Sequence, residues 1–119
     1  MASFLIVIHS DNYASQSTRS ALQFAQAVVQ TGHQLKGIFL YQQAVNLANQ
    51  HIDIPSDELD NRQGFIALKQ QHAIPLLMCV TAGEKRGVTQ SQVESHFTIA
   101  GLAEMAEIAC DVDRLIQFK

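Results

Sequence analysis

The sequence predicts a three-layer α/β/α domain built on a mostly parallel central sheet, and three observations predict it. Short, continuous apolar runs at residues 4–8, 35–41 and 75–80 read as strands buried on both faces, which is the habit of a parallel sheet. Stretches with apolar residues at helical spacing separate them. The joints between run and stretch are short, as in the right-handed parallel crossover unit. With 119 residues, the chain has length for one domain and one core, expected to span residues 1–119.

The elements follow in order. Phe4, Leu5, Ile6, Val7 and Ile8 form the first strand, and His9-Ser10-Asp11-Asn12-Tyr13 breaks it with turn residues. Ser15 or Ser17 caps the first helix. Ala21, Phe24, Ala25 and Val28 form its core stripe, widened by Leu22 and Val29, and Gln23, Gln26 and Gln30 lie off it. Gly32 ends the helix in a left-handed conformation. Residues 35–41 give the second strand, 44–50 a short helix and 51–55 a loop. Ser56 caps a second helix, with Asp57 and Glu58 in the first turn, where carboxylates suit the helix dipole. Leu59, Ile66 and Ala67 share its buried face, and it ends near His72. Residues 75–80 form the third strand, and 89–94 look locally helical. Thr98 caps the last helix, which buries Ile99, Leu102, Ala103 and Ala106 and turns Glu104 and Glu107 outward. Residues 112–118 alternate loosely as a final strand.

Composition narrows the function. Net charge is −3 without a long run of one sign, against the basic face of a dedicated nucleic-acid binder. No apolar run approaches the roughly 20 residues of a membrane-spanning helix. No lysine or arginine precedes the first apolar run, unlike a secretory signal, and a cytoplasmic protein is expected. The two cysteines then read as thiols rather than a disulfide. The five histidines show no metal-ligand spacing, and neither a metal nor an organic cofactor is expected.

Chemistry concentrates at residues 74–88. Cys79 lies where the third apolar run passes into a polar, glycine-punctuated loop. In open α/β sheets, sites collect at the carboxyl ends of strands, and a thiol there is expected to be exposed. The thiolate is the reactive form, favoured by nearby cations or a helix start. Lys85, Arg86 and a helical turn from Ala82 are the candidates to supply these. An apolar-run cysteine is also a common small core residue, and a solvated loop charge is the ordinary role of Lys85. His9, Asp11, Tyr41 and Gln42 are expected at the same carboxyl edge. Ser15, Gln16 and Ser17 precede a helix where anions bind, although the loop lacks the glycines of a phosphate cradle. Cys110 reads as packing.

The chain resembles the DsrE/TusD sulfurtransferase family, most closely its TusD-type members. The resemblance is carried by residues 20–27, Gly32-His33-Gln34-Leu35, Phe39-Leu40-Tyr41, Ala48-Asn49-Gln50 and residues 56–60. It continues through Cys79-Val80 with Arg86-Gly87-Val88, then residues 97–102 and 113–118. No single piece is specific; their order and spacing over nearly the full length are. The resemblance implies a DsrE-like fold and a sulfur relay in which Cys79 carries sulfur as a persulfide. Arg86 matches the family pattern, and no carrier role transfers to Cys110. The loop 9–16 departs from the family's glycine-containing loop. The implied partners are sister DsrE-family subunits in a heterohexamer, a small persulfide donor carrier protein and a downstream sulfur acceptor protein. The implied destination is the wobble uridine of certain tRNAs, without direct nucleic-acid binding by this chain and without a membrane.

Three other readings remain beside this one. They are a non-catalytic assembly subunit, a small anion- or nucleotide-binding α/β protein, and a carrier in sulfur oxidation. Cys79 at a strand end favours a carrier over the first two.

Overall fold

Every strand runs in the same direction. The computed structural model describes residues 1–11, 16–56 and 60–119. Within them lie strands β1 (Ser3–Ile8), β2 (Gln34–Leu40), β3 (Leu76–Cys79), β4 (Thr98–Ala100) and β5 (Arg114–Phe118). The helices are α1 (Ser17–Gln30), α2 (Asn61–His72), α3 (Val80–Lys85) and α4 (Leu102–Cys110), and a 3-10 helix spans Gln42–Ala48. The strands form one sheet in the order β4-β3-β2-β1-β5, each pair parallel. Their carboxyl ends therefore share one edge.

Helices cover both faces. Phe4 of β1 meets Phe24 of α1 edge-on at 5.8 Å between ring centroids. On the opposite face, a Cβ added at Gly37 of β2 would lie 3.5 Å from Leu5 Cδ1 and 3.8 Å from Ile108 Cδ1 of α4. α1 and α4 thus pack on opposite faces, because neighbouring strand residues point to opposite sides. α2 lies beside α1. Its Gly64 is required there, since an added Cβ would collide with Leu22 of α1. The result is the three-layer α/β/α architecture, with an all-parallel sheet rather than a mostly parallel one.

The first unit follows its expectation closely. Ala21, Leu22, Ala25 and Val28 of α1 are buried. Gly32 takes φ 82°, and the N–H groups of Gly32 and His33 donate to the carbonyls of Val29 and Val28, the paired closure of a glycine-terminated helix. Two details differ. Phe24 is only partly buried, packed along the side of the core against Phe4 and Phe118. Ser17 is the first helical residue rather than the cap: Gln16 occupies the cap position without a side-chain bond, and Ser17 Oγ donates to the Lys119 carbonyl at 3.0 Å. The alternative cap Ser15 lies outside the described residues.

The middle and end of the chain depart further. The short helix after β2 is of the 3-10 type and starts at Gln42, two residues before the expected position. α2 starts at Asn61, because the Asp60 carboxylate accepts from Gln63 N–H and caps it. Ser56 is therefore not its cap, and Asp57, Glu58 and Leu59 lie outside the described residues. Residues 89–94 form a single turn, in which the N–H groups of Gln92 and Val93 donate to the Thr89 carbonyl, and Val93 is bridged to Asn49; the turn goes no further because its end pairs with residues 48–50. Thr98 is not a helix cap but opens β4, a three-residue strand paired to β3. α4 follows with Gly101 at its cap position. None of its residues is fully buried. Met105, Ile108 and Ala109 pack on the core, whereas Leu102, Ala103 and Ala106, the expected inner face, are exposed.

Candidate functional site at the carboxyl edge of the sheet

Register builds a row of strand ends. Pairing of Leu40 with Met78 places the next residues, Tyr41 and Cys79, opposite one another. Pairing of Ile8 with Leu40, continued by Tyr41 N–H to the Ile8 carbonyl at 2.9 Å, places His9 opposite Tyr41. Cys79 pairs with Ala100 on its other side. Two-residue alternation from Gly37 through Phe39 puts Tyr41 on the face that α4 covers, and its row neighbours with it. The row therefore reads Ala100, Cys79, Tyr41, His9 across four strands.

Cys79 is the last residue of β3 and the N-cap of α3. Here an apolar strand meets a six-residue helix that begins with Val80. α4 also starts near it, because Gly101 follows Ala100. Two helix starts thus lie beside this strand end, with the Gly101 N–H engaged by Glu104 Oε1. The expectation of an exposed thiol is overturned: Cys79 is only 1% exposed, and Cys110 is the exposed cysteine. The physical reason is the face. Cys79 shares the sheet face of Tyr41 and is closed in there, rather than pointing outward from the edge.

The cations stand elsewhere. Arg86 is the C-cap of α3, and its Nη1 donates back to the Ala82 carbonyl at 3.2 Å. Lys85 is exposed in the last turn of the same helix. Five helical residues separate Lys85 from Cys79 and six separate Arg86, about 9–10 Å along the axis. The structure thus brings Tyr41 to the row and leaves Lys85 and Arg86 at the far end of α3, where Arg86 satisfies helix carbonyls.

At the other end of the row His9 is held on both sides. Its Nδ1 lies 3.1 Å from Gln42 Oε1 and its Nε2 2.9 Å from Gln117 Oε1. Its ring meets Tyr41 edge-on at 5.5 Å. Gln117 was no candidate from sequence, since only the β1–β5 pairing brings it there. Asp11 is half-buried near this end. The Ser17 hydroxyl is engaged with Lys119, so Ser17 gains no support as part of an anion cradle, and Ser15 lies outside the described residues. Among the described residues, no cluster of three or more His, Cys, Asp or Glu could hold a metal ion, and no helix is long and apolar enough to cross a membrane.

A strand-end thiol with two helix starts beside it, on an all-parallel five-stranded sheet, defines a small α/β protein suited to thiol chemistry. The chain belongs to the DsrE/DsrF-like family, whose model matches residues 2–118. It is 37% identical to the sulfurtransferase TusD of Serratia proteamaculans (strain 568), over 99% of this chain and 100% of that protein. The fold is shared with the ychN protein of E. coli, at a TM-score of 0.87 and 24% identity, covering 99% of this chain and 100% of that one. It is shared also with MTH1491 of Methanobacterium thermoautotrophicum, a protein of unknown function, at a TM-score of 0.72 and 9% identity over 98% and 99% of the two chains.

Proposed function

We propose that this sulfurtransferase carries sulfane sulfur as a persulfide on Cys79 and passes it to an acceptor protein. The observation that carries the reading is the place of Cys79: the end of a central strand at the carboxyl edge, at the start of α3 and beside the start of α4. The transfer balances without cofactor or oxidant. The Cys79 thiolate attacks the outer sulfur of a donor persulfide, the donor's S–S bond breaks, and a new S–S bond forms at Cys79. The donor leaves as a thiolate and takes the proton that Cys79 released, and the acceptor thiol repeats the step. The N–H groups of the two helix starts favour negative charge on the attacking and transferred sulfur. The Tyr41 hydroxyl supports the same charge. Arg86 and Lys85 act on the approaching donor, not on the thiol.

A thiol 1% exposed reacts through local opening. Donor or sister subunits would trigger it. The assembly is a heterohexamer with sister DsrE-family subunits in the cytoplasm, fed by a small carrier protein and serving 2-thiolation of tRNA wobble uridine. Exposed Leu102 on α4 (45%) and Leu115 on β5 (37%) suit contact with such subunits.

Mass spectrometry after incubation with a persulfide donor tests the reading. The Cys79 peptide should gain the mass of one sulfur atom, and Cys79→Ser should fold, assemble and carry none. Wild-type sulfur transfer by a Cys79→Ser complex would make this chain a scaffold.

A further inference from the structure

The row of strand ends contains one chemical group that the sulfur step does not yet use. His9 lies on it, two strands from the thiol, and several independent features fix it there. Both ring nitrogens are engaged, Nδ1 with Gln42 Oε1 at 3.1 Å and Nε2 with Gln117 Oε1 at 2.9 Å. The two glutamines come from opposite sides, the start of the 3-10 helix and β5. Gln42 has φ 51°, a left-handed conformation that costs any residue with a side chain and gathers at functional sites. A cavity of about 440 Å³ opens beside the pair, lined by His9, Ser10, Gln42, Gln43 and Lys119.

Tyr41 stands between His9 and Cys79. Its ring is wedged, with His9 edge-on at 5.5 Å and Phe39 tilted at 6.5 Å. Its hydroxyl has no hydrogen-bond partner among the described residues. A phenol so placed is a donor waiting for an acceptor. The side chain is half-buried, so the acceptor can arrive from outside the fold.

We propose that His9 is a positioning residue for sulfur transfer: clamped by Gln42 and Gln117, it fixes the Tyr41 ring so that the phenol donates a hydrogen bond to the outer, anionic sulfur of the Cys79 persulfide. This inference rests on Cys79 being the carrier. No bond to Tyr41 or His9 forms or breaks, and the phenol keeps its proton. The amide clamp suits the role because a glutamine end can turn. Two oxygens hold an imidazolium, while one oxygen and one NH2 hold a neutral ring. The ring therefore stays in place in either charge state.

A double-mutant cycle tests the coupling in the whole chain, with cysteine hydropersulfide as donor and single-turnover sulfur loading as readout. Tyr41→Phe and His9→Ala should each slow loading about tenfold, the scale of one hydrogen bond to a charged group. The double variant should be no slower than either single one, because both remove the same contact. Multiplying effects, or loading at the wild-type rate in His9→Ala, would overturn the proposal. If His9→Ala does not fold, His9→Gln enters the same cycle.

A spectroscopic signal separates positioning from general weakening of the fold. The chain has two tyrosines and no tryptophan, so Tyr13→Phe leaves Tyr41 as the emitter. Its emission should change when His9→Gln removes the imidazole at its ring edge. Emission unchanged by His9→Gln would also overturn the proposal. Wild-type transfer by Cys79→Ser would sink the carrier reading while leaving this emission change in place, so the two failures are distinguishable.

Discussion

The two cysteine-bearing segments, β3–α3 and α4, are built from similar residues and end in opposite situations. Leu76, Leu77, Met78 and Cys79 are all buried. α4, with Leu102, Met105, Ile108 and three alanines among its nine residues, buries none of them completely. The difference is position in the layers. β3 lies inside the sheet with β2 and β4 on its flanks and helices over it. α4 meets the sheet along one stripe, through Met105, Ile108 and Ala109. Apolar composition thus measures what a segment is able to bury, and the number of elements around it decides what it does bury. On α4 the surplus apolar surface is available to another chain; on β3 it encloses the thiol.

The largest expected difference between the two segments is chemical. Cys79→Ser should abolish single-turnover sulfur transfer, and Cys110→Ser should leave it unchanged. Accessibility should run the other way. In the isolated folded chain, iodoacetamide should modify Cys110 at least about tenfold faster than Cys79, because burial protects a thiol until local opening exposes it. Peptide mapping reads the ratio, and denaturant should bring it near one. Faster labelling of Cys79 in the folded chain would mean that the thiol is already accessible there.

Stability separates the layers next. Phe39→Ala, at a fully buried position, should cost about 3–5 kcal/mol in denaturant melts. Leu102→Ala, on the exposed end of α4, should stay within about 0.5 kcal/mol. A comparable cost for both in the isolated chain would show that α4 is packed more deeply.

The loop joining the two segments carries a smaller, pH-dependent contribution. Burial pushes the Glu94 carboxyl up, but hydrogen bonds from the side chain and backbone of His96 and from Ser95 outweigh it, and the net shift is below the ordinary 4.5. A depressed carboxylate contributes stability that is full above its unfolded value and lost as pH falls through the folded one. The thermal advantage of the wild type over Glu94→Gln should therefore shrink between about pH 6 and about pH 3. A constant advantage would assign the loop's stability to Lys69, whose Nζ donates to the His96 carbonyl at 2.6 Å. Smallest of all, Arg86→Glu should lower the melt only slightly, since it removes one helix-capping bond, but should slow sulfur transfer from a protein donor and change its salt dependence. Unchanged transfer and salt dependence would remove Arg86 from donor recognition.

The sequence patterns that succeeded were local and periodic. β1, α1 and β2 were legible because a both-faces-buried strand, a 3.6-residue stripe and a terminating glycine each act within a few residues. Cys79 was legible as a strand-end thiol for the same reason. Phe24 was placed in the core because a stripe gives direction but not depth, and its ring lies at the side of the layer. β4 was missed because three residues carry no period, and their partner is β3, some twenty residues earlier in the chain. Thr98 then took the part of a helix cap that its type suits but its pairing forbids.

Local chemistry thus determined that this chain alternates strands and helices, that the sheet is mostly parallel, and that one thiol sits where a strand gives way to a polar segment. Tertiary structure decided which way that thiol faces. It turned Cys79 inward, sent Arg86 to the far end of α3, and brought His9 to Gln117 across more than a hundred residues of sequence. The physical reason is that a side chain's face follows from strand register, and register is fixed by hydrogen bonds and buried surface shared between segments remote in the chain.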